Sequence, residues 1–203
     1  MPGIYVYLED VADLAVGLMI DVLRKVSATD RYVRKGLWPS KGDFPLGSKM
    51  GSKRVGILGI GSIGQEVAKR VEAFGCRISY SSRNKKPLVS YPYYSNLSQL
   101  ALDSDVLIVC CGLTDQTRHM INKEVMLALG KEGVIINIGR GAGLDVFENE
   151  PNIPTQLLTL DNVLSPHRAV HTPESLAAMY ELVKGNFEAF FSNKPLLSPI
   201  ANQ

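Results

Sequence analysis

Cysteine is scarce in this chain, and its three copies, Cys76, Cys110 and Cys111, form no C-x-x-C pair. An odd count argues against a disulfide framework. The absence of His/Cys ligand spacing argues against zinc or any other metal. The three thiols read as reduced, mostly buried groups of a cytoplasmic enzyme. Long apolar runs are also lacking: the longest near the start, Val11 to Leu23, is broken by Asp13 and Asp21. That excludes a membrane-spanning helix and the apolar part of a secretory leader from this stretch. No charge of one sign dominates, since 22 Lys and Arg face 20 Asp and Glu. No basic block is interleaved with aromatics, which disfavours nucleic acid and membrane surfaces as partners. No repeat or low-complexity segment is present. A chain of 203 residues is long enough for a sizeable core in one or two domains.

What is present is an alternation of helical and strand patterns. Residues 9–35 carry Val11, Leu14, Ala15, Leu18, Met19, Val22 and Leu23 at helical spacing, with Asp10 as an N-cap. A looser polar stretch, 36–52, holds the single tryptophan, Trp38. Strands follow at 55–58, 77–81, 105–111 and 133–138, with a short edge strand at 91–94. Helices lie at 62–74, 97–102 and 123–128. Strands alternating with helices imply a parallel α/β sheet, and runs such as VLIVCC and VIINI suit strands buried on both faces. Thr172-Pro173-Glu174 has the form N-cap, N1 proline and N2 acid, and opens a helix to about Phe191.

The strongest motif is Gly59-Ile60-Gly61-Ser62-Ile63-Gly64. A G-x-G-x-x-G pattern alone is weak; directly after a strand and opening a helix, it has the context of a dinucleotide-binding turn. The first glycine permits the tight turn, the second lets backbone N–H groups approach a pyrophosphate, and the third lets helix pack on strand. The helix N-terminus adds partial positive charge. An acid at the end of the second strand would bind the ribose hydroxyls of NAD. Here the chain reads Ser81-Ser82-Arg83-Asn84-Lys85-Lys86. An arginine fork and hydroxyls suit a 2′-phosphate, hence NADP(H), with NAD(H) as the second option. The alternative is a solvated basic loop.

Together with this turn, CCGLTDQTRHMIN, NIGRGA, GLDVFENEP and LSPHRAVHTPES resemble the D-isomer-specific 2-hydroxyacid dehydrogenases. The SSRNKK loop and the tail GNFEAFFSNKPLLSP are similar to the NADPH-preferring glyoxylate/hydroxypyruvate reductases of that family. The resemblance implies a Rossmann-type doubly wound parallel sheet, with only remnants of a second, substrate domain. It divides the chain into a hinge and dimer helix with linker (1–50), a dinucleotide-binding domain (51–168) and a helix and tail of the substrate domain (169–203). It implies a homodimer if helix 9–35 docks as in the family.

By motif, Arg140 matches the arginine that holds the substrate's carboxylate, His167 the proton donor, and Glu150 the carboxylate that pairs with that histidine. Asp145 matches a position near the nicotinamide carboxamide, and Leu113, Thr117 and Ile138 line the cofactor cleft. Bidentate binding of a carboxylate suits arginine, and a proton donor that works near neutrality suits histidine. His171 rivals His167 and Glu148 rivals Glu150, while His119 sits in a polar run that reads as surface.

Two departures from the family pattern bear on activity. The segment that builds most of the family's substrate domain is reduced to residues 1–10. The strands of NIGRGA and GLDVF are joined by Gly139 to Gly143 alone, a deletion centred near 141–143. Parallel neighbours need a crossover of about 12 or more residues, whereas five residues reach only about 17 Å. A hairpin there would carry Glu150 about 17 Å from the turn and away from His167. The expectation is a 2-oxo acid reductase that is impaired in this chain. The alternative is a non-catalytic nucleotide-binding or dimer-forming variant.

Overall fold

Four short strands, β1 (Arg54–Leu58), β2 (Arg77–Ser81), β3 (Val106–Val109) and β4 (Val134–Asn137), pair in parallel in the order β2-β1-β3-β4. The structure, a computed structural model, describes residues 7–112, 114–138 and 169–199. Among these residues the helices are α1 (Leu8–Arg24), α2 (Val26–Arg34), α3 (Trp38–Lys41), α4 (Ser62–Ala73), α5 (Leu97–Leu102), α6 (Lys123–Leu129) and α7 (Pro173–Phe191). This is the expected α/β arrangement. The strand order reverses beside β1, because β2 lies on one side of it and β3 on the other.

Strand alternation sorts side chains to the two faces of the sheet. Val55, Ile57, Val106, Ile108 and Ile136 join α1 and α4 in one core. Leu107 and Ile135 meet α5 and α6 in a smaller one. Both faces are therefore covered, which is why the inner strand β3 is apolar throughout, while the edge strand β2 carries Arg77, Ser79 and Ser81. Arg54 fastens the lower edge. Its guanidinium and backbone N–H both donate to the Asp105 carboxylate, at 2.7 Å from Nη2 and 2.8 Å from N.

Three expectations are corrected. The 9–35 helix is two helices, because Lys25 turns left-handed (φ 56°) between α1 and α2. Asp10 is not an N-cap: α1 begins at Leu8, so Asp10 lies in its first turn. Its carboxylate instead accepts hydrogen bonds from the hydroxyls of Thr172 (2.7 Å) and Ser175 at the start of α7. The 91–94 edge strand is one isolated bridge, Tyr80 to Tyr93, since Pro92 can offer only its carbonyl to β2. The Thr172 cap is as read, with its hydroxyl accepting from the Ser175 N–H at 3.1 Å. The stretch from 36 to 52 is mostly irregular but includes the single turn α3.

Candidate functional site: the carboxyl edge of the sheet

The residues after each strand end converge on one edge. The Gly59 N–H donates to Ser81 O (2.8 Å), Cys110 N–H to Leu58 O (2.8 Å) and Ile138 N–H to Val109 O (3.1 Å). The glycine turn, the loop after β2, the loop after β3 and the end of β4 are thus placed side by side. A crevice at the carboxyl ends of parallel strands, beside a strand-order reversal, is where this architecture binds ligands.

The three glycines have three different surroundings. Gly59 has φ +95°, and a Cβ there would stand 2.8 Å from Cys111 N. A Cβ on Gly64 would fall 2.2 Å from Gly59 O, so helix α4 leaves its strand at a distance only glycine allows. Around Gly61 nothing lies within 4 Å of where a Cβ would be. Gly61 caps α4 without any side-chain hydrogen bond, and no acid occupies the first turn. The first N–H groups of a helix have no intrahelical partner. Open space over Gly61, undamped helix charge and free donors together fit a pyrophosphate. Ile60 is buried and anchors the turn, Ser62 is exposed, and Ile63 is half-buried against the core.

Beyond β2, the Ser82 hydroxyl donates to Asn84 O at 2.7 Å and closes a small turn. Arg83, Asn84 and Lys85 are exposed. Among the described residues, no hydrogen bond or ion pair engages the side chains of Arg83, Lys85 or Lys86. Thr117 is half-buried and ties the loop after β3: its hydroxyl donates to Gly112 O and accepts from Thr114 N–H, both at 2.7 Å. That makes it a brace of the cleft wall. Ile138 is half-buried at the end of β4. His119 is exposed, as read, with φ 57°. His171 is exposed as well, beside the α7 cap.

Leu113, Arg140, Asp145, Glu150 and His167 lie outside the described residues, as do Glu148 and the GLDVF segment. The described part of the site is therefore the nucleotide half. Sequence reasoning missed Cys111, whose backbone walls the glycine turn, and the tyrosines under the 82–86 loop. Neither carries a motif; pairing partners alone reveal them. Burial pushes the Cys111 thiol above its ordinary range. Burial first, and the adjacent Cys111 second, push Cys110 higher still. Neither is a thiolate nucleophile near neutrality. Among the described residues no group of three His, Cys, Asp or Glu could hold a metal, and no helix is long and apolar enough to cross a membrane. A groove of about 430 Å³ beside α7, lined by Val183, Asn186, Phe187, Phe190, Phe191 and Leu196, offers no cation for a phosphate or oxo acid.

The profile of the D-isomer specific 2-hydroxyacid dehydrogenase NAD binding domain matches residues 16–143. The chain is 56% identical to glyoxylate/hydroxypyruvate reductase HPR3 of Arabidopsis thaliana, covering 95% of this chain and 66% of that protein. It is 51% identical to hydroxyphenylpyruvate reductase of Plectranthus scutellarioides, covering 95% and 67%. It is also similar to the crystal structure of an NADPH-dependent glyoxylate/hydroxypyruvate reductase from Sinorhizobium meliloti in complex with NADP and malonate. There the TM-score is 0.89 at 38% identity, over 97% of this chain and 68% of that one. The chain thus spans about two thirds of these relatives' length. Each plant alignment runs over 212 residues, more than the 203 of this chain, so those relatives carry positions inside the matched span that have no counterpart here.

Proposed function

This chain belongs to the D-isomer specific 2-hydroxyacid dehydrogenase family, and on that premise we propose that it binds NADPH at the Gly59–Gly64 turn. The reaction it is built for is reduction of a small 2-oxo acid, glyoxylate or hydroxypyruvate, to the 2-hydroxy acid. The observation that carries this reading is the open cradle over Gly61 beside the unengaged Arg83. Arg83, flanked by Ser82 and Asn84, is assigned to the 2′-phosphate, the Ser82 hydroxyl being given to Asn84 O; NADH, which lacks that group, is the weaker ligand. Asp145 is assigned by motif to the nicotinamide carboxamide, and Leu113, Thr117 and Ile138 to the lining of the cofactor cleft.

When bound, the reduced nicotinamide supplies hydride to the keto carbon. The chain's own residues would do the rest. Arg140 would hold the substrate carboxylate bidentately, and His167 would give a proton to the carbonyl oxygen. Glu150 would fix the imidazole's orientation and raise its basicity. In this chain we infer that turnover is impaired while nucleotide binding persists. The family profile stops at Gly143, in the short glycine connection, and the plant relatives hold extra positions within the aligned span. A carboxylate displaced from the histidine costs the proton donor its partner.

The domain reading that goes with this is 51–168 for the dinucleotide, 1–50 for hinge and dimer contacts, and 169–203 for the substrate domain's helix and tail. We infer a homodimer through the N-terminal helices, supported by Val26 and Val33, which are seven residues apart on α2 and about half exposed. A cytoplasmic setting fits the three free cysteines.

Titration with NADPH followed by a turnover assay tests the proposal. NADPH at one hundred times its Kd should stabilise the chain by about 2.7 kcal/mol. Hydroxypyruvate turnover should lie far below ordinary enzyme rates. No thermal shift at millimolar NADPH would refute the binding, and ordinary turnover would refute the impairment.

A further inference from the structure

The basic loop after β2 is held at both ends by tyrosines that no motif marks. Tyr80, fully buried on β2, accepts the Lys86 backbone N–H on its phenolic oxygen at 2.9 Å. Tyr93, half-buried on the bridge beside β2, donates its hydroxyl to Ser82 O at 3.3 Å. The two rings pack at 5.4 Å between centroids. Both backbone polar groups of Tyr80 are fastened to the 92–94 segment, its N–H to Pro92 O (2.9 Å) and its carbonyl to Tyr94 N–H (2.8 Å). A buried tyrosine hydroxyl requires a polar partner. This one finds it in the loop, so that burying the ring also sets the far end of the loop.

We propose that Tyr80 and Tyr93 are positioning residues for cofactor selection. They clamp Lys86 and Ser82, the two ends of the basic loop, so that Arg83 and its neighbours stand ready for a phosphate monoester on a ribose hydroxyl. The inference rests on the nucleotide reading above and deepens it. Between the clamped ends the Ser82 hydroxyl closes on Asn84 O, which leaves little freedom in the span that carries Arg83. No carboxylate among the described residues engages those cations. A cation on a fixed loop loses less freedom on binding than one on a free loop, and preorganisation of this kind raises affinity without new contacts. The clamp therefore acts on the 2′-phosphate and leaves the glycine turn, which grips the pyrophosphate, untouched.

The test is calorimetric titration of the full chain with adenosine 2′,5′-bisphosphate and with adenosine 5′-phosphate. Wild type should prefer the bisphosphate. Tyr80→Phe keeps the ring and removes only the hydroxyl. It should weaken the bisphosphate five- to tenfold and leave the monophosphate within twofold. Tyr93→Phe should show a smaller loss of the same kind, and it carries the test alone should Tyr80→Phe fail to fold. Equal weakening of both ligands, or no change in either, overturns the clamp while the 2′-phosphate assignment stands. Absence of any preference in wild type overturns that assignment and the clamp with it.

Discussion

At the scale of single residues the glycine turn makes its own predictions, because its members fail differently. Gly61→Ala places a methyl where nothing lies within 4 Å. The fold should tolerate it, with Tm within about 2 °C of wild type, while NADPH affinity falls at least tenfold because the methyl fills the cradle. Gly64→Ala drives a methyl to 2.2 Å from Gly59 O, a backbone atom that cannot step aside. Overpacking of that kind costs about 1–3 kcal/mol, which in a chain of this size lowers Tm by roughly 2–12 °C. Thermal melts with and without NADPH separate the two; a Gly61→Ala chain that binds normally would remove the pyrophosphate from the turn. At the ribose end, Ser82→Asp with Arg83→Ala swaps a phosphate-binding pair for a hydroxyl acceptor. NADPH affinity should drop tenfold or more and NADH affinity should rise. An unchanged ratio of the two would return Arg83 to the solvated surface.

At the scale of elements, β1 and β3 are joined at their starts by Arg54 and Asp105. The Arg54 hydrogen bond holds the Asp105 carboxyl below its usual range. A lowered folded-state pKa adds stability that is complete above the unfolded value, near 4, and is lost as pH falls through the folded one. Asp105→Asn should therefore melt lower at neutral pH and lose less Tm than wild type between about pH 4 and pH 2. Both side chains are partly exposed, so the effect is small, and a parallel pair of pH profiles would show that the contact contributes nothing. Strands β3 and β4 were legible in the sequence because burial in the sheet leaves apolar runs with no competing pattern. The cap of α7 was legible because Thr-Pro-Glu is local chemistry. The break at Lys25 was not, since the apolar spacing on either side reads as one continuous helix. The Asp10 contact joins residues 162 positions apart, beyond any window of local pattern. For the same reason the glycine turn announced itself and the tyrosine clamp did not: one is a spacing, the other a pairing across three segments.

For the whole molecule the question is what meets solvent. The apolar side of α1 is spent, with Leu8, Val11, Ala15, Leu18, Met19 and Leu23 buried against the body of the domain. On α7 the arrangement is reversed. Ser175 and Ala189 are buried, while Leu176, Tyr180, Val183, Phe187, Phe190 and Phe191 fall within an arc of about 100° at 3.6 residues per turn and are exposed. Phe187, Phe190 and Phe191 are 60%, 65% and 78% exposed. An apolar stripe of this kind attracts apolar probes. Phe187→Ser with Phe190→Ser should lower anilinonaphthalene sulfonate fluorescence severalfold, with NADPH affinity unchanged because neither residue is among those assigned to the nucleotide. The proposed dimer should respond to α2 instead. Val26→Glu with Val33→Glu puts two charges at half-exposed positions on one helix face and should convert a two-chain species to a one-chain species in sedimentation velocity. If the α7 pair gives that conversion and the α2 pair does not, the homodimer belongs to the C-terminal helix and the N-terminal assignment is wrong.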